Sequence, residues 1–227
     1  MSNNKKAIII GNSDGIGFGL TKRLLKLGWI VQGFSRSASS IKNENYIHTI
    51  IDVTSMEFPQ KLSEIEGDTA LCVYCAAIGE ELDLENLQQE DKIFQVNLNG
   101  AVKTIASILP MMTKRKKGQI IVLSSIGDIV ISPGAPSYHA SKAGLSSYVE
   151  SMALAARPFN VAITNVRFGF VDTKMAKGSD HVPFMMSVEK SVDYIMHCIK
   201  KRPIRFTRPK KMAFLALLHR WFTRLKM

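Results

Sequence analysis

The sequence predicts an α/β fold built on one doubly wound parallel sheet. Three observations carry that expectation. Short, apolar, β-branched runs alternate with longer helical stretches along most of the chain, the pattern of parallel strands joined by crossover helices. The first such run, Ala7 to Ile10, leads directly into a glycine-rich loop and then a helix. At 227 residues, 46% hydrophobic and 22% charged, the chain suits one globular domain with a sizeable core.

Every side chain in Ala7–Ile10 is apolar, as a strand buried on both faces requires. Gly11-Asn12-Ser13-Asp14-Gly15-Ile16-Gly17 follows, and Phe18 to Leu27 reads as a helix ending at Gly28. In this unit Gly11 permits the turn, Gly15 lets a phosphate approach the backbone, and Gly17 allows helix and strand to pack. The N–H groups at the helix start can hold a pyrophosphate, with Ser13 and Ile16 beside it. The same letters also read G-x-S-x-G, the elbow that presents a nucleophilic serine, so a hydrolase using Ser13 is an alternative. That alternative leaves Gly17 unexplained, and no later histidine stands beside an obvious acid partner.

Trp29 to Phe34 is the second strand and runs into Ser35-Arg36-Ser37. The end of this strand meets the adenosine ribose in a βαβ nucleotide site, where an acid binds the 2′-hydroxyl and an arginine accommodates a 2′-phosphate. Arg36, flanked by Ser35 and Ser37, points to NADP, with NAD as the alternative. Tyr46 to Ile51 is the third strand, ending at Asp52-Val53, and Met56 to Glu66 a short helix. Ala70 to Ala77 is the fourth strand, where Ala76, Ala77 and Gly79 leave room beside it.

Glu85 to Lys116 reads as helix, with Pro110 expected to disturb its last third. Asn97 and Gly100 are poor mid-helix residues, and an Asn there bends the helix or serves a site. Gly118 to Ser124 is the fifth strand, and Ser124-Ser125 marks the end where ligands bind in such sheets. A loop, Gly127 to Pro136, precedes a helix running to Ala156. Val161 to Phe168 is the sixth strand, ending in Gly169-Phe170-Val171-Asp172-Thr173. Lys174 to Ser187 reads as a mobile lid with adaptable Met175, Met185 and Met186. Val188 to Lys200 is a helix and Ile204 to Thr207 a seventh strand. There is no internal repeat; residues 1–206 form the domain and 207–227 a basic extension.

Tyr138 and Lys142 stand four apart at the start of the helix that ends at Ala156, so they share one face. A unit positive charge at ~4 Å, at an effective dielectric near 20, favours phenolate by up to ~4 kcal/mol. That would bring a phenol from about 10 to ~7, where it both gives and takes protons.

The net charge of +11 is unevenly spread. Residues 200–227 hold ten Lys/Arg and no acid, leaving 20 basic against 19 acidic groups elsewhere. A nearly neutral body argues against nucleic-acid binding. Cys72-x-x-Cys75 lies in an apolar strand, where i and i+3 face opposite sides, so no metal site is expected. Few thiols, no signal peptide and no stretch of transmembrane length point to the cytoplasm. In the tail, Phe214, Leu215, Leu217, Leu218, Trp221, Phe222 and Leu225 fall on one broad side of a helix. His219, Arg220, Thr223, Arg224 and Lys226 fall largely opposite. Two fates are open: the apolar side enters a membrane interface, or it docks on the body or a second subunit.

These positions together resemble the short-chain dehydrogenase/reductase family over about residues 5–206. The motifs occur in order: Gly11/Gly15/Gly17, Asp52-Val53, Asn97-Leu98-Asn99-Gly100, Ser125, Tyr138-x-x-x-Lys142 and Gly169-Phe170-Val171-Asp172-Thr173. Ser125 stands 13 residues before Tyr138, the family's interval. The resemblance implies a Rossmann-like fold and hydride transfer between NADP(H) and a carbonyl or secondary alcohol. It implies Tyr138 as general acid, Ser125 as partner of the substrate oxygen, and Lys142 on the nicotinamide ribose. Asn97 would hold a water that relays protons to Lys142. Asp52 and Val53 would contact adenine, Ala76 would line the site, and Val171 and Thr173 would fix the carboxamide. A homodimer or homotetramer is implied, through the helices near 88–115 and 138–156. Tyr74-Cys75-Ala76-Ala77 replaces the usual Asn-Asn-Ala-Gly, which removes two amides and should alter support of the site. Phe168 replaces the usual Pro, Ile10 the usual Thr, and Asp14 stands where NADP-preferring members often carry a base. A non-catalytic NADP(H) sensor is the further alternative.

Overall fold

A computed structural model describes residues 5–65, 67–176 and 184–225. Its seven strands are β1 (Lys6–Ile10), β2 (Ile30–Ser35), β3 (Tyr46–Ile50), β4 (Thr69–Tyr74), β5 (Gly118–Leu123), β6 (Val161–Phe168) and β7 (Arg205–Arg208). They form one all-parallel sheet in the order β3-β2-β1-β4-β5-β6-β7. The helices are α1 (Gly15–Lys26), α2 (Phe58–Ser63), α3 (Gln88–Phe94), α4 (Gly100–Arg115), α5 (Pro136–Ala156), α6 (Val188–Lys201) and α7 (Lys210–Leu225).

The apolar run in β1 is explained by its two buried faces. Ile8 and Ile10 enter one core with Ile105 and Ile108 of α4 and Leu145 and Val149 of α5. Ala7 and Ile9 enter the other with Leu20 and Leu24 of α1 and Val192 and Ile195 of α6. Alternate strand residues point to opposite faces, so both must be apolar. Strand order reverses between β1 and β4, and ligands bind at such a switch point, outside the carboxyl ends of the strands.

Two local expectations are corrected. The helix expected over Met56–Glu66 is confined to Phe58–Ser63, held by buried Phe58 and Leu62, with Glu66 outside the described residues. Pro110 does not disturb α4, which continues to Arg115. Ile105, Ile108 and Met112 are buried on one side, and Pro110 with Ala106, whose carbonyl loses its donor, face water. Packing decides the helix, and solvent satisfies the freed carbonyl.

The mid-helix Asn97 and Gly100 mark a real irregularity. A π turn, Gln95–Asn99, joins α3 to α4, and the Gly100 N–H bonds back to the Gln95 carbonyl. The Val96 carbonyl is thereby released, and the Tyr74 hydroxyl donates to it at 2.6 Å. π turns of this kind sit at functional sites.

The tail helix α7 packs on β7 and on the 3-10 turn Ile126–Ile129. It does so through its narrow side: Ala216 is buried, and Met212, Ala213, Arg220 and Thr223 are half-buried. The broad apolar side is turned outward, with Phe214 62%, Trp221 58% and Phe222 55% exposed. The apolar side is therefore not docked on the body. No helix among the described residues is long and apolar enough to cross a membrane.

Candidate active site

A cleft of ≈ 1240 Å³ opens at the carboxyl ends of β1, β4, β5 and β6. Its floor is the glycine loop. Gly11 (φ +80°) and Gly15 (φ +54°) take backbone angles that disfavour side chains. A Cβ on Gly11 would fall 2.6 Å from the Ala76 amide, and one on Gly17 only 2.1 Å from the Gly11 carbonyl. The loop is thus pressed against the segment just after β4 and against its own first residue. Buried Asn12 reaches across Gly33, where a Cβ would strike its amide, and donates to the Tyr46 hydroxyl of β3. Ser13 lines the cleft, but no described histidine bonds its hydroxyl, and the left-handed residues of the loop flank it. The hydrolase reading fails on that geometry.

Ser35, Arg36 and Ser37 line the rim beyond β2. Ser35 is buried; its Oγ donates to the Ser37 carbonyl at 2.9 Å and lies 2.8 Å from His48 Nε2. With its one proton given to Ser37, the Ser35 hydroxyl accepts from His48. Nδ1 of His48 is then free to accept from Ser39 N–H at 3.4 Å. Burial keeps His48 below its ordinary value, which favours this neutral form. Arg36 is exposed, with no ion pair among the described residues. Asp52 closes a small turn by accepting from Thr54 N and Oγ1, both at 2.8 Å, and sets Val53 in the cleft wall.

Asp14 caps α1, its Oδ1 accepting from Gly15 N at 2.8 Å, while its Oδ2 pairs with Lys174 at 2.9 Å. The acid that stood against a 2′-phosphate is therefore offset by a base the linear sequence did not connect to it. Thr173, just before Lys174, touches the Gly15 position, and with Val171 it lines the opposite wall. The expected lid at Lys174–Ser187 lies partly outside the described residues.

Tyr138, Lys142 and Ser125 meet on one wall of this cleft. Tyr138 packs flat against Gly79, where a Cβ would sit 3.0 Å from its ring. The small residues after β4 thus make the room expected of them. Ser125 Oγ accepts from Gly127 N at 2.9 Å, which fixes the hydroxyl and leaves its proton to donate. Lys142 is buried and donates to the Leu123 carbonyl at 3.2 Å, its ammonium 5.8 Å from the centre of the Tyr138 ring. Burial lowers Lys142 to about 8, with the Cys75 thiol beside it raising it slightly.

The expected depression of Tyr138 is not present. Burial pushes the phenol up, the Ser125 hydroxyl pulls it down, and the Asp128 carboxylate raises it again. The four-residue spacing does place both groups on one face. However, the ammonium is directed to the Leu123 carbonyl at the end of β5, and burial of the phenol is the largest influence on it.

Asn97 does not line the cleft. Its Nδ2 donates to the Ile78 carbonyl at 2.8 Å and to Ser141 Oγ at 3.1 Å, and its Oδ1 accepts from Ile78 N at 2.8 Å. The side chain clamps the loop after β4 to α5, and the amide expected to hold a relay water is already committed.

Three further groups were not legible in the sequence. Beneath Ser125, Asp128 pairs with Arg167, both nearly buried, and accepts from Ser146 at 2.6 Å. Ser124, its Oγ 3.1 Å from that of Ser146, donates to Asn165 Oδ1 at 2.6 Å. His139 Nδ1 donates to the Gly127 carbonyl at 2.8 Å and holds the same turn from α5. At the far end of the cleft, Met212, Leu215, Ala216 and His219 of α7 complete the wall. The tail's helical spacing was readable; the side that would face the cleft was not.

Glycine positions that a Cβ would fill, a helix start facing the cleft, and an exposed Arg36 at its rim fit a dinucleotide. The comparisons agree. A family model described as short chain dehydrogenase matches residues 5–182. A fatty acyl-CoA reductase of Acinetobacter baylyi is 28% identical over 221 residues, covering 88% of this chain and 75% of the relative. A 3-ketodihydrosphingosine reductase of Bacteroides thetaiotaomicron is 32% identical over 173 residues, covering 73% and 64%. The structure of a short chain dehydrogenase from Burkholderia cenocepacia in complex with NADP aligns with a TM-score of 0.86 at 22% identity, covering 99% of this chain and 98% of that one. The chain belongs to the short-chain dehydrogenase family and is a nicotinamide-dependent oxidoreductase acting between carbonyl and alcohol.

Proposed function

We propose that this oxidoreductase uses NADP(H) on an apolar carbonyl or secondary alcohol, with Tyr138, Ser125 and Lys142 as its catalytic residues and Asn97 as a positioning residue. The convergence of those three side chains on one wall of a cleft floored by the glycine loop carries the reading. The bound cofactor supplies hydride to the carbonyl carbon. Arg36 would hold the 2′-phosphate, and the amides at the start of α1 the pyrophosphate. Ser125, fixed by Gly127 N–H, donates to the carbonyl oxygen and stabilises the charge that grows there. Tyr138 gives its phenolic proton to that oxygen; its raised pKa keeps it protonated and able to do so. Lys142, charged below about pH 8, is held to the end of β5 by the Leu123 carbonyl, its ammonium 5.8 Å from the Tyr138 ring centre. Asn97 holds Ile78 and Ser141, and so the loop and helix that carry Gly79 and Tyr138.

An apolar substrate is supported by the walls, which include Phe170, Met175, Phe184 and Leu215, and by the acyl and sphingoid substrates named for two relatives. We read the protein as cytoplasmic, peripheral to a membrane through α7, and assembled as a homodimer or homotetramer through α4 and α5. The test is Tyr138→Phe, which keeps the ring and deletes the proton donor. NADPH binding should persist while carbonyl-dependent NADPH oxidation disappears; activity within about tenfold of the parent would remove Tyr138 from the chemistry.

A further inference from the structure

The tail helix has two sides with different surroundings. Met212, Ala216 and His219 face the cleft and form its end wall. Phe214, Leu217, Leu218, Trp221 and Leu225 lie on the opposite side and Phe222 on the flank beside Leu215, and all are 40% exposed or more. Leu215 belongs to both, lining the cleft while 53% exposed. Phe170, Met175 and Phe184 add a half-exposed apolar rim to the same cleft.

The charges identify the occupant of the outer side. Lys210 and Lys211 open α7 with no acid in the first turn, against the preference of a helix N-terminus for negative charge. Arg224 closes it. The apolar band is thus bracketed by bases at both ends, on a body whose residues 1–199 are nearly neutral. A second copy of this face would set bases against bases in either orientation. An anionic bilayer offers negative headgroups to the lysines and an acyl boundary to Trp221 and Phe222.

We propose that α7 docks on an anionic bilayer and, as the end wall of the cleft, passes a long-chain carbonyl amphiphile from the lipid into the site. This rests on the reading of the cleft as a carbonyl site. The lipid face and the substrate wall are opposite sides of one helix, so docking brings the cleft mouth to the membrane surface. A substrate chain then moves along Leu215 and the Phe170–Met175–Phe184 rim without crossing water.

The full chain is compared with the double variant Trp221→Glu/Phe222→Glu, whose positions touch neither cleft nor core. Binding is read by flotation with phosphatidylcholine vesicles, with and without phosphatidylglycerol. Turnover is read as NADPH oxidation with a long-chain methyl ketone carried in those vesicles and with a water-soluble 3-oxo ester. The parent should float only with phosphatidylglycerol, lose binding in high salt, and reduce the vesicle-borne ketone at least about tenfold faster there than on neutral vesicles. The variant should lose flotation and that gain, yet reduce the soluble ester at about the parent rate. Failure of the parent to float, or an equal rate of variant and parent on the vesicle-borne ketone, overturns the proposal. Conversion of a dimer to a monomer by the variant, measured by light scattering, assigns the face to a second copy instead. Vesicle binding without turnover of either ketone removes the carbonyl reading, and substrate passage with it.

Discussion

The Tyr74 hydroxyl donates to the Val96 carbonyl at 2.6 Å, in the space left by the missing side chain of Gly100. A Cβ on Gly100 would lie 2.3 Å from that hydroxyl. Tyr74 stands where relatives by resemblance carry an asparagine, and the loss of that amide was expected to alter support of the site. The support is instead rebuilt. The phenol satisfies the carbonyl that the π turn releases, and the turn carries Asn97 to Ile78 and Ser141.

Tyr74→Phe should lower stability by about 1–3 kcal/mol, because a buried carbonyl loses its donor. Gly100→Ala should destabilise through the clash, and Tyr74→Phe should relieve part of it. In urea unfolding the double variant should therefore lose less than the sum of the two single losses. Strict additivity would separate the two residues.

Arg36→Asp should shift the ratio of NADPH to NADH dissociation constants by at least about tenfold toward NADH, since a phosphate partner becomes a repelling acid. Asp14 does not oppose this, because Lys174 offsets it. Titration by fluorescence checks it; an unchanged ratio means that Arg36 does not read the phosphate.

Lys142 carries a stability cost with a defined pH window. Its folded value, about 8, lies below its ordinary 10.5, so the unfolded chain binds more protons between the two. Stability contributed by this group is present above pH 10.5 and lost as pH falls through 8. The drop corresponds to about 3 kcal/mol at neutral pH. Lys142→Met should therefore be inactive yet more stable at pH 7, by up to that amount. Its advantage should shrink between pH 8 and 10.5. Equal stability of both proteins at pH 7 would contradict the buried charge.

Arg167→Met should cost about 3–5 kcal/mol, because Asp128 is left buried without its partner. Asp128→Asn in the same chain should restore a large part of that loss. Thermal melts of the single and double variants check it, and a melt of Arg167→Met like the parent's would show that water reaches the pair.

The strand sequence, the glycine loop and the Tyr138–Lys142 pairing were legible because each depends on local rules. Apolar alternation marks a strand with two buried faces, glycine marks a turn under contact, and four residues make one helical turn. β6 was readable at Val161–Phe168 because it is β-rich and bounded by Asn160 and Gly169. Where a local rule met packing it failed. Pro110 was overruled by the buried Ile105, Ile108 and Met112 beside it.

What the sequence by itself determined is the fold and the family, since periodicity and motif order are properties of the chain. Only the tertiary structure decided the charge balance at the carboxyl edge of the sheet and the direction of the tail. Lys174 reaches Asp14 from 160 residues away, and Arg167 reaches Asp128 from 39. The phenol of Tyr138 rises because of what surrounds it rather than what stands four residues on. An amphipathic pattern states that a helix has an apolar side but not what that side meets. In α7 the small residues Ala213 and Ala216 allow close approach to the body, and the large apolar ones are left facing out.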